Sequence, residues 1–440
     1  MSNNLYSQVV LDQKKALPEM YARIDFKSLP ERFAGEADDI SSLTGRLLKR
    51  RPDLLANKER IALIRDYTMM GDSVSDAYVY RLPEFGFRKI VDMLDTACEH
   101  GIEAVEDAPP ELVAFLADME RIPDWLDMDL INRGAEVERN SYAHFAPFVT
   151  RGALFATFMN KYSALPMAMT GTFSGPTSAK RVLETATFFT TTVMPGALER
   201  FGAGFKSAAK VRLMHSMVRI HSLRTGKWDV EKYGLPIPQV DQMPAGILSA
   251  YLVALAVLKE GRSEFTRDER AKVEIARYRS FLLGLPEDLL GDTPQSIVDL
   301  METRQATLRK GWDEDTCGSL VKATMEADLF QPTTLWGKMK KRMEQSFAKF
   351  FFVKVFCNGR YDRAEGYGVT VTNMDRLLSV ATGLLIFTST KLFDVGASFA
   401  PTRKFTNKVL VRKLERLLES YGGADFVSNS ENYKSTAAAE

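Results

Sequence analysis

Apolar residues recur at three- and four-residue spacing along most of the chain, which is the signature of amphipathic helices. The pattern predicts helices in "ISSLTGRLLKRRPDLLANKERIALIRDYTMMGD" (40–72), "RKIVDMLDTACEHGIEAVE" (88–106), "PEDLLGDTPQSIVDLMETRQATL" (286–308) and "KFTNKVLVRKLERLLESYGG" (404–423). The last of these stops at the glycine pair that a helix end favours. Alternating strands joined by Asn-Gly or Asp-Gly turns are missing, so the predicted fold class is all-α. The longest apolar runs, "AGILSAYLVALAVL" (245–258) and "LLSVATGLLIFTST" (377–390), are each about 14 residues, short of the ~20 a bilayer-spanning helix needs. Both are predicted to be buried core helices. "RYDRAEGYGVTVT" (360–372) is the best place for a short hairpin or loop, and the polar tail 424–440 reads as disordered.

Three consecutive helical sections follow from this pattern: an N-terminal cap over 1–115, a core over 116–300 and a C-terminal extension over 301–423. Charge narrows the function. With 58 basic and 57 acidic residues the net charge is +1, which argues against a dedicated nucleic-acid binder. The three cysteines, Cys98, Cys317 and Cys357, lie far apart, so they indicate neither a disulfide framework nor a CxxC metal site. That usage fits a reducing, cytoplasmic location. The opening residues lack the basic-then-apolar layout of a secretory signal.

The sequence holds four histidines, and two of them fall within "VRLMHSMVRIH" (211–221). On a helix, Val211 and Val218 lie about 40–60° to one side of His215, and Arg212 and Arg219 about 40–60° to the other. An imidazole at such a seam suits a flat ligand with an oily body and an acidic edge. Haem is one: the histidine binds iron while arginines meet the propionates. The competing reading is a core histidine satisfied by its neighbours. His221 points roughly 120° away from His215 and reads as a residue near the helix end, where positive charge suits the dipole. His100 and His144 have no partner pattern and read as structural or exposed.

A second polar seam lies upstream, in "GPTSAKRVLETATFFTTTV". Thr177 or Ser178 is a candidate N-cap, and Arg181, Glu184, Thr185, Phe188 and Thr192 then share one helical face. Either this face overlooks a bound ligand, or Arg181 and Glu184 form an i, i+3 surface pair worth a few tenths of a kcal/mol, roughly. The preceding "GTFSGPTS" (171–178) has the glycines of a phosphate loop without the GK[ST] ending.

"IPDWLDMDLINRGAEV" (122–137), "RVLETATFF" (181–189), "KVRLMHSMVR" (210–219), "YGLPIPQVDQMPA" (233–245) and "YRSFLLGLPEDLL" (278–290) occur in the order and spacing of one family. The chain resembles the rubber oxygenase (latex-clearing protein) and MpaB-type oxygenases. The resemblance implies a globin-like helical core carrying b-type haem, with His215 as the proximal iron ligand. It implies Arg181 and Thr185 as distal residues, with Glu184 between them completing the catalytic set, while Arg212 and Arg219 stay candidate propionate contacts on the helix geometry. It also implies O2 chemistry on an isoprenoid C=C bond. Where the rubber-cleaving branch has Arg-x-x-Lys-Thr, this chain reads Arg181-Val-Leu-Glu184-Thr185. The acid that branch carries some twenty positions earlier has no counterpart in "KYSALPMAM" (161–169).

The expected activity is therefore a haem b-dependent oxygenase acting on a small apolar, unsaturated substrate (isoprenoid or lipid) with O2 or peroxide. A haem peroxidase and a non-catalytic haem or lipid carrier stand as alternatives. "KMKKRMEQSFAKFFFVK" (338–354), with six basic residues, one acid and a Phe cluster, has two readings. It is a helix with Phe toward the core, or an amphipathic segment making peripheral contact with an anionic membrane.

Overall fold

The computed structural model describes residues 5–169, 177–330 and 334–422. The all-α expectation is borne out: among these residues the regular elements are helices, and β-type pairing is confined to two isolated bridges, Phe33–Leu308 and Ser41–Arg309. The 40–72 pattern becomes two helices, Arg46–Ala56 and Lys58–Thr68, because the Asn57 side chain accepts from Arg60 N and starts a new helix. Helix Phe87–His100 ends at Gly101, whose φ of +94° a β-carbon would disfavour. A reciprocal cap between Thr293 and Ser296 opens Pro294–Thr307. Ala400–Tyr421 stops at left-handed Gly422. The glycine-rich segment 171–176 and the tail 424–440 lie outside the described residues.

Packing sorts the chain into two compact units, each drawn from separate stretches of sequence. The first comprises Met1–Gly134 and Gly196–Lys310. Here the long helix Ala203–Arg224 packs on Ser73–Tyr80, Phe87–His100 and Arg267–Leu282. The run 245–258 is divided between Gln239–Gly246 and Leu248–Lys259, which meet at 63° around Ile247. Its second helix buries Ala250, Ala254 and Val257.

The second unit comprises Ala135–Pro195 and Gly311–Asp425. Ala146–Thr157 packs on Leu335–Val355, which packs in turn on Asn373–Ser398, and the latter pairs with Ala400–Tyr421. Phe155, Phe158, Val182, Leu320 and Phe352 form its apolar centre, with the Phe155 and Phe352 rings edge to face at 5.5 Å. Arg151 is fully buried there, donating from Nε to Glu344 at 3.0 Å and from Nη2 to Ala327 O at 2.9 Å. Burial pushes the Glu344 carboxyl up, and Arg151 opposes it.

One expectation is overturned and two open readings are narrowed. Residues 360–372 form no hairpin: Tyr361–Glu365 closes one helical turn, and Thr372 then caps the next helix by accepting from Asp375 N. In Leu335–Val355, Phe347 and Phe352 are buried while Lys338, Lys340 and Arg342 are exposed, so the apolar side of the basic stretch faces protein. The run 377–390 is not a buried core helix. It belongs to a 26-residue helix, Asn373–Ser398, that buries Asp375, Ser379, Thr382 and Ile386 and exposes most of its leucines. Sequence hydropathy counts apolar residues but not the side they face.

Candidate functional site

The histidine helix Ala203–Arg224 carries unusual buried charge. Arg212 pairs with Asp72 (Nη2 to Oδ1 2.9 Å) and with Asp118 at 2.6 Å. Burial pulls the Arg212 guanidinium down, but the two carboxylates outweigh it and hold it above its usual range. A β-carbon at Gly284 (φ +83°) would lie 2.6 Å from Arg212 Nε, so only glycine leaves room for the pair. Arg219, fully buried, donates to Asp76, to Pro236 O at 3.1 Å and to Ile237 O at 2.8 Å. The Tyr21 hydroxyl donates to the same carboxylate. Burial raises the Asp76 pKa, while Arg219 and the Tyr21 and Ser216 hydrogen bonds pull it back.

Arg212 and Arg219, the candidate propionate contacts, are thus paired with carboxylates on helix Ser73–Tyr80, on its cap and, for Arg212, on helix Pro110–Glu120. These ion pairs tie the histidine helix to its neighbours. The sequence pattern missed these partners, although Asp72 and Asp76 stand one helical turn apart.

Between the two arginines sits His215, half-buried. Its Nδ1 lies 3.0 Å from Gln242 Oε1. Gln242 Nε2 donates to Gln239 Oε1 at 3.0 Å, and Gln239 Nε2 donates to Gly71 O at 3.1 Å. A backbone carbonyl can only accept, so Gly71 O orients both amides and places the proton of His215 on Nδ1. In the neutral imidazole the lone pair is then on Nε2.

Gly71 is itself held, its N–H donating to Gln13 Oε1 at 2.8 Å. A β-carbon there would collide with the Tyr21 hydroxyl and lie 3.0 Å from Arg219. The hydrogen-bond chain and the arginine clamp therefore share one junction. Gln239 and Gln242 were also missed in the sequence. Their signal is the Gln-x-x-Gln spacing in "QVDQ", which sets both amides on one side of helix Gln239–Gly246.

Arg181, Glu184 and Thr185 belong to the other unit, on Thr177–Thr191. That helix packs against Ala146–Thr157, Ser319–Glu326 and Ala400–Tyr421. Thr177 is its first residue and Ser178 is buried within it. Arg181 Nη1 donates to Glu184 Oε2 at 2.9 Å, and Lys180 Nζ stands 3.9 Å from Oε1. The Thr185 hydroxyl donates to Arg181 O at 3.1 Å. Glu184 is 6% exposed, which separates this pair from an ordinary surface salt bridge. The structure thus brings Arg181, Glu184 and Thr185 together on one helical turn.

Of the remaining histidines, His221 is half-buried with its pKa lowered by burial and Lys227. His144 is buried, its Nδ1 2.8 Å from Asn140 Oδ1, and His100 is exposed beside Glu99. Among the described residues no group of three or more His, Cys, Asp or Glu side chains could hold a bare metal ion.

No curated protein matches the chain. The structure of latex clearing protein LCP in the closed state aligns with a TM-score of 0.55, over 80% of this chain and 91% of that one, at 16% identity. That likeness shows a shared fold. Residues 140–375, more than half of the 440, match the family model for the catalytic domain of ER-bound oxygenase mpaB/B' and rubber oxygenase. Both Arg181 and His215 fall inside the matched stretch. The chain belongs to this oxygenase family.

Proposed function

We propose that the chain is a haem-dependent oxygenase that oxidises a small apolar, unsaturated substrate of isoprenoid or lipid type with O2. The observation that carries this reading is the hydrogen-bond chain from Gly71 O through Gln239 and Gln242 to His215. A metal-ligating histidine needs a lone pair on one ring nitrogen and a fixed partner for the proton on the other. His215 meets both needs, so the donor set fits haem iron better than a bare cation.

In this reading His215 holds the iron through Nε2. Haem ligated by a neutral histidine supplies dioxygen binding and activation, with the surrounding pocket deciding the outcome. Gln242 does two things: it stops rotation of the imidazole and, as an amide instead of a carboxylate, it leaves the proton on Nδ1. The ion pairs of Arg212 and Arg219 fix the helix on either side, which limits drift of the Nε2 position.

Arg181, Glu184 and Thr185 are assigned the handling of oxygen and protons. Arg181 orients the Glu184 carboxylate through Oε2. Glu184 is the group that accepts or delivers a proton at a carboxylate oxygen. The Thr185 hydroxyl proton is directed to Arg181 O, so its oxygen presents a lone pair. Glu184 in place of the rubber-cleaving branch's lysine argues against direct rubber cleavage.

The test is turnover of haem-loaded protein with ¹⁸O2 and a short isoprenoid or unsaturated fatty acid. O2 uptake with ¹⁸O in a carbonyl product is expected. Turnover with peroxide and without O2 uptake would replace this reading with a peroxidase. Haem binding without any turnover would replace it with a carrier.

A further inference from the structure

Helix Asn373–Ser398 is built inside out. Its protein-facing side carries Asp375, Ser379 and Thr382 with a single buried apolar residue, Ile386. Its outward side carries Met374, Leu377, Leu384, Leu385, Leu392 and Val395 at helical spacing, with Leu377, Leu384 and Leu392 exposed to 64%, 63% and 70%. An ordinary surface helix does the reverse. Only 11% of its most apolar stretch is buried. A continuous exposed apolar face of this kind marks an interaction surface.

The inner face is firmly anchored. Asp375 accepts from Ser346 Oγ at 2.8 Å, Lys349 Nζ at 3.1 Å and Thr372 N at 3.0 Å. Burial raises its pKa, but these donors outweigh it and hold the carboxyl at about 2. The helix therefore cannot roll its leucines inward without stranding a buried carboxylate.

Charge identifies the occupant. The two helices packed against this one are Leu335–Val355, with six basic residues and one acid, and Ala400–Tyr421, with six basic residues and two acids. The whole chain carries only +1, so its basic excess is concentrated on these two flanks. Lys338, Lys340, Arg342, Arg403, Lys404 and Lys408 are exposed. A second copy docking here would set basic flanks against basic flanks, whereas acidic headgroups complement them.

We propose that the outward face of Asn373–Ser398 docks on an anionic lipid bilayer, with the helix lying along the membrane surface. By length and composition the 26-residue helix is enough to cross a bilayer, but its uncharged core, residues 377–390, rises only about 21 Å at 1.5 Å per residue, short of the ~30 Å hydrocarbon thickness. Crossing would also draw Asp375 and the basic helix beside it into hydrocarbon. Lying flat, the helix buries its leucines at the headgroup boundary while the lysines and arginines meet phosphate. The surface stands on its own observations and does not depend on the haem assignment.

The test is flotation of the full chain with vesicles of phosphatidylcholine alone and of phosphatidylcholine mixed with phosphatidylglycerol. Binding to the mixed vesicles, weakened by salt, is expected, with at least about tenfold weaker partition for Leu377→Glu/Leu384→Glu/Leu392→Glu. A separate Leu384→Trp variant is expected to shift its emission to the blue on these vesicles and to be quenched by brominated acyl chains. The proposal is overturned if the unaltered chain does not float with acidic vesicles, if it binds both vesicle types equally, or if lipid leaves the emission of the Leu384→Trp variant unmoved. It is also overturned if light scattering shows a dimer that the triple substitution splits while neither protein binds vesicles.

Discussion

Helix Ala203–Arg224 buries Arg212 and Arg219, whereas helix Asn373–Ser398 exposes Leu377, Leu384 and Leu392. Each breaks the rule that charge faces water and apolar surface faces protein. The inversions differ in what completes them. In the histidine helix both buried arginines have partners inside the same unit, Asp72 and Asp118 for Arg212 and Asp76 for Arg219. That inversion is closed, and it ties the helix that carries His215 to its neighbours. In the apolar helix the outward leucines have no complement among the described residues of their unit, so the inversion is open and points to something outside the chain.

The largest effect should come from opening the closed inversion. Arg219→Met leaves Asp76 buried without its cation, and a loss of about 3–5 kcal/mol in urea unfolding is expected. Adding Asp76→Leu should recover much of that loss, because a buried pair replaced by apolar groups is often near neutral. A single substitution within about 0.5 kcal/mol of the parent would contradict the clamp.

Next in size is the hydrogen-bond chain. Gln242→Leu removes the acceptor for His215 Nδ1, and haem affinity should fall about 10–100-fold in titrations. Gln242→Glu should retain haem but lower its reduction potential, since a carboxylate draws more strongly on the Nδ1 proton. A purely structural glutamine would leave the potential unmoved.

A smaller effect is tied to pH. Burial, with Lys413 nearby, depresses His144 from 6.5 to about 4, while its Asn140 contact and Asp394 act the other way. Between those values the unfolded chain binds the proton and the folded chain does not. Stability should therefore be full above pH 6.5 and decline as pH falls toward 4. In His144→Gln, denaturation midpoints measured across that window should fall less steeply.

The smallest effect is expected where the inversion is open. Leu384→Ser removes an exposed side chain, so its unfolding free energy should stay within about 0.5 kcal/mol of the parent. A loss several times larger would mean that this face is covered by protein.

The contrast also explains what could be read from sequence. The three- and four-residue spacing was enough for the helices and for an all-α fold, since periodicity is a local property. Arg181, Glu184 and Thr185 were legible as one face because they lie within a single turn of one helix. His215 was legible as a seam residue, but its partner Gln242 lies 27 residues away in sequence. The carboxylates of Asp72 and Asp76 that claim Arg212 and Arg219 lie 140 and 143 residues away, which no helical period can reveal. The run 377–390 failed as a core helix for a related reason. Composition measures how apolar a helix is, while the polar spacing Asp375, Ser379, Thr382 indicates which side faces protein.

The most direct measurement is the absorption spectrum of the purified protein and of His215→Ala, each as prepared, reduced with dithionite and exposed to CO. For the parent, a Soret band that moves on reduction and again with CO is expected. For His215→Ala, with far-UV circular dichroism unchanged, that band should be lost or displaced. A parent spectrum that stays featureless after haem is added, or a variant spectrum matching the parent's, would contradict the assignment of His215 as the iron ligand.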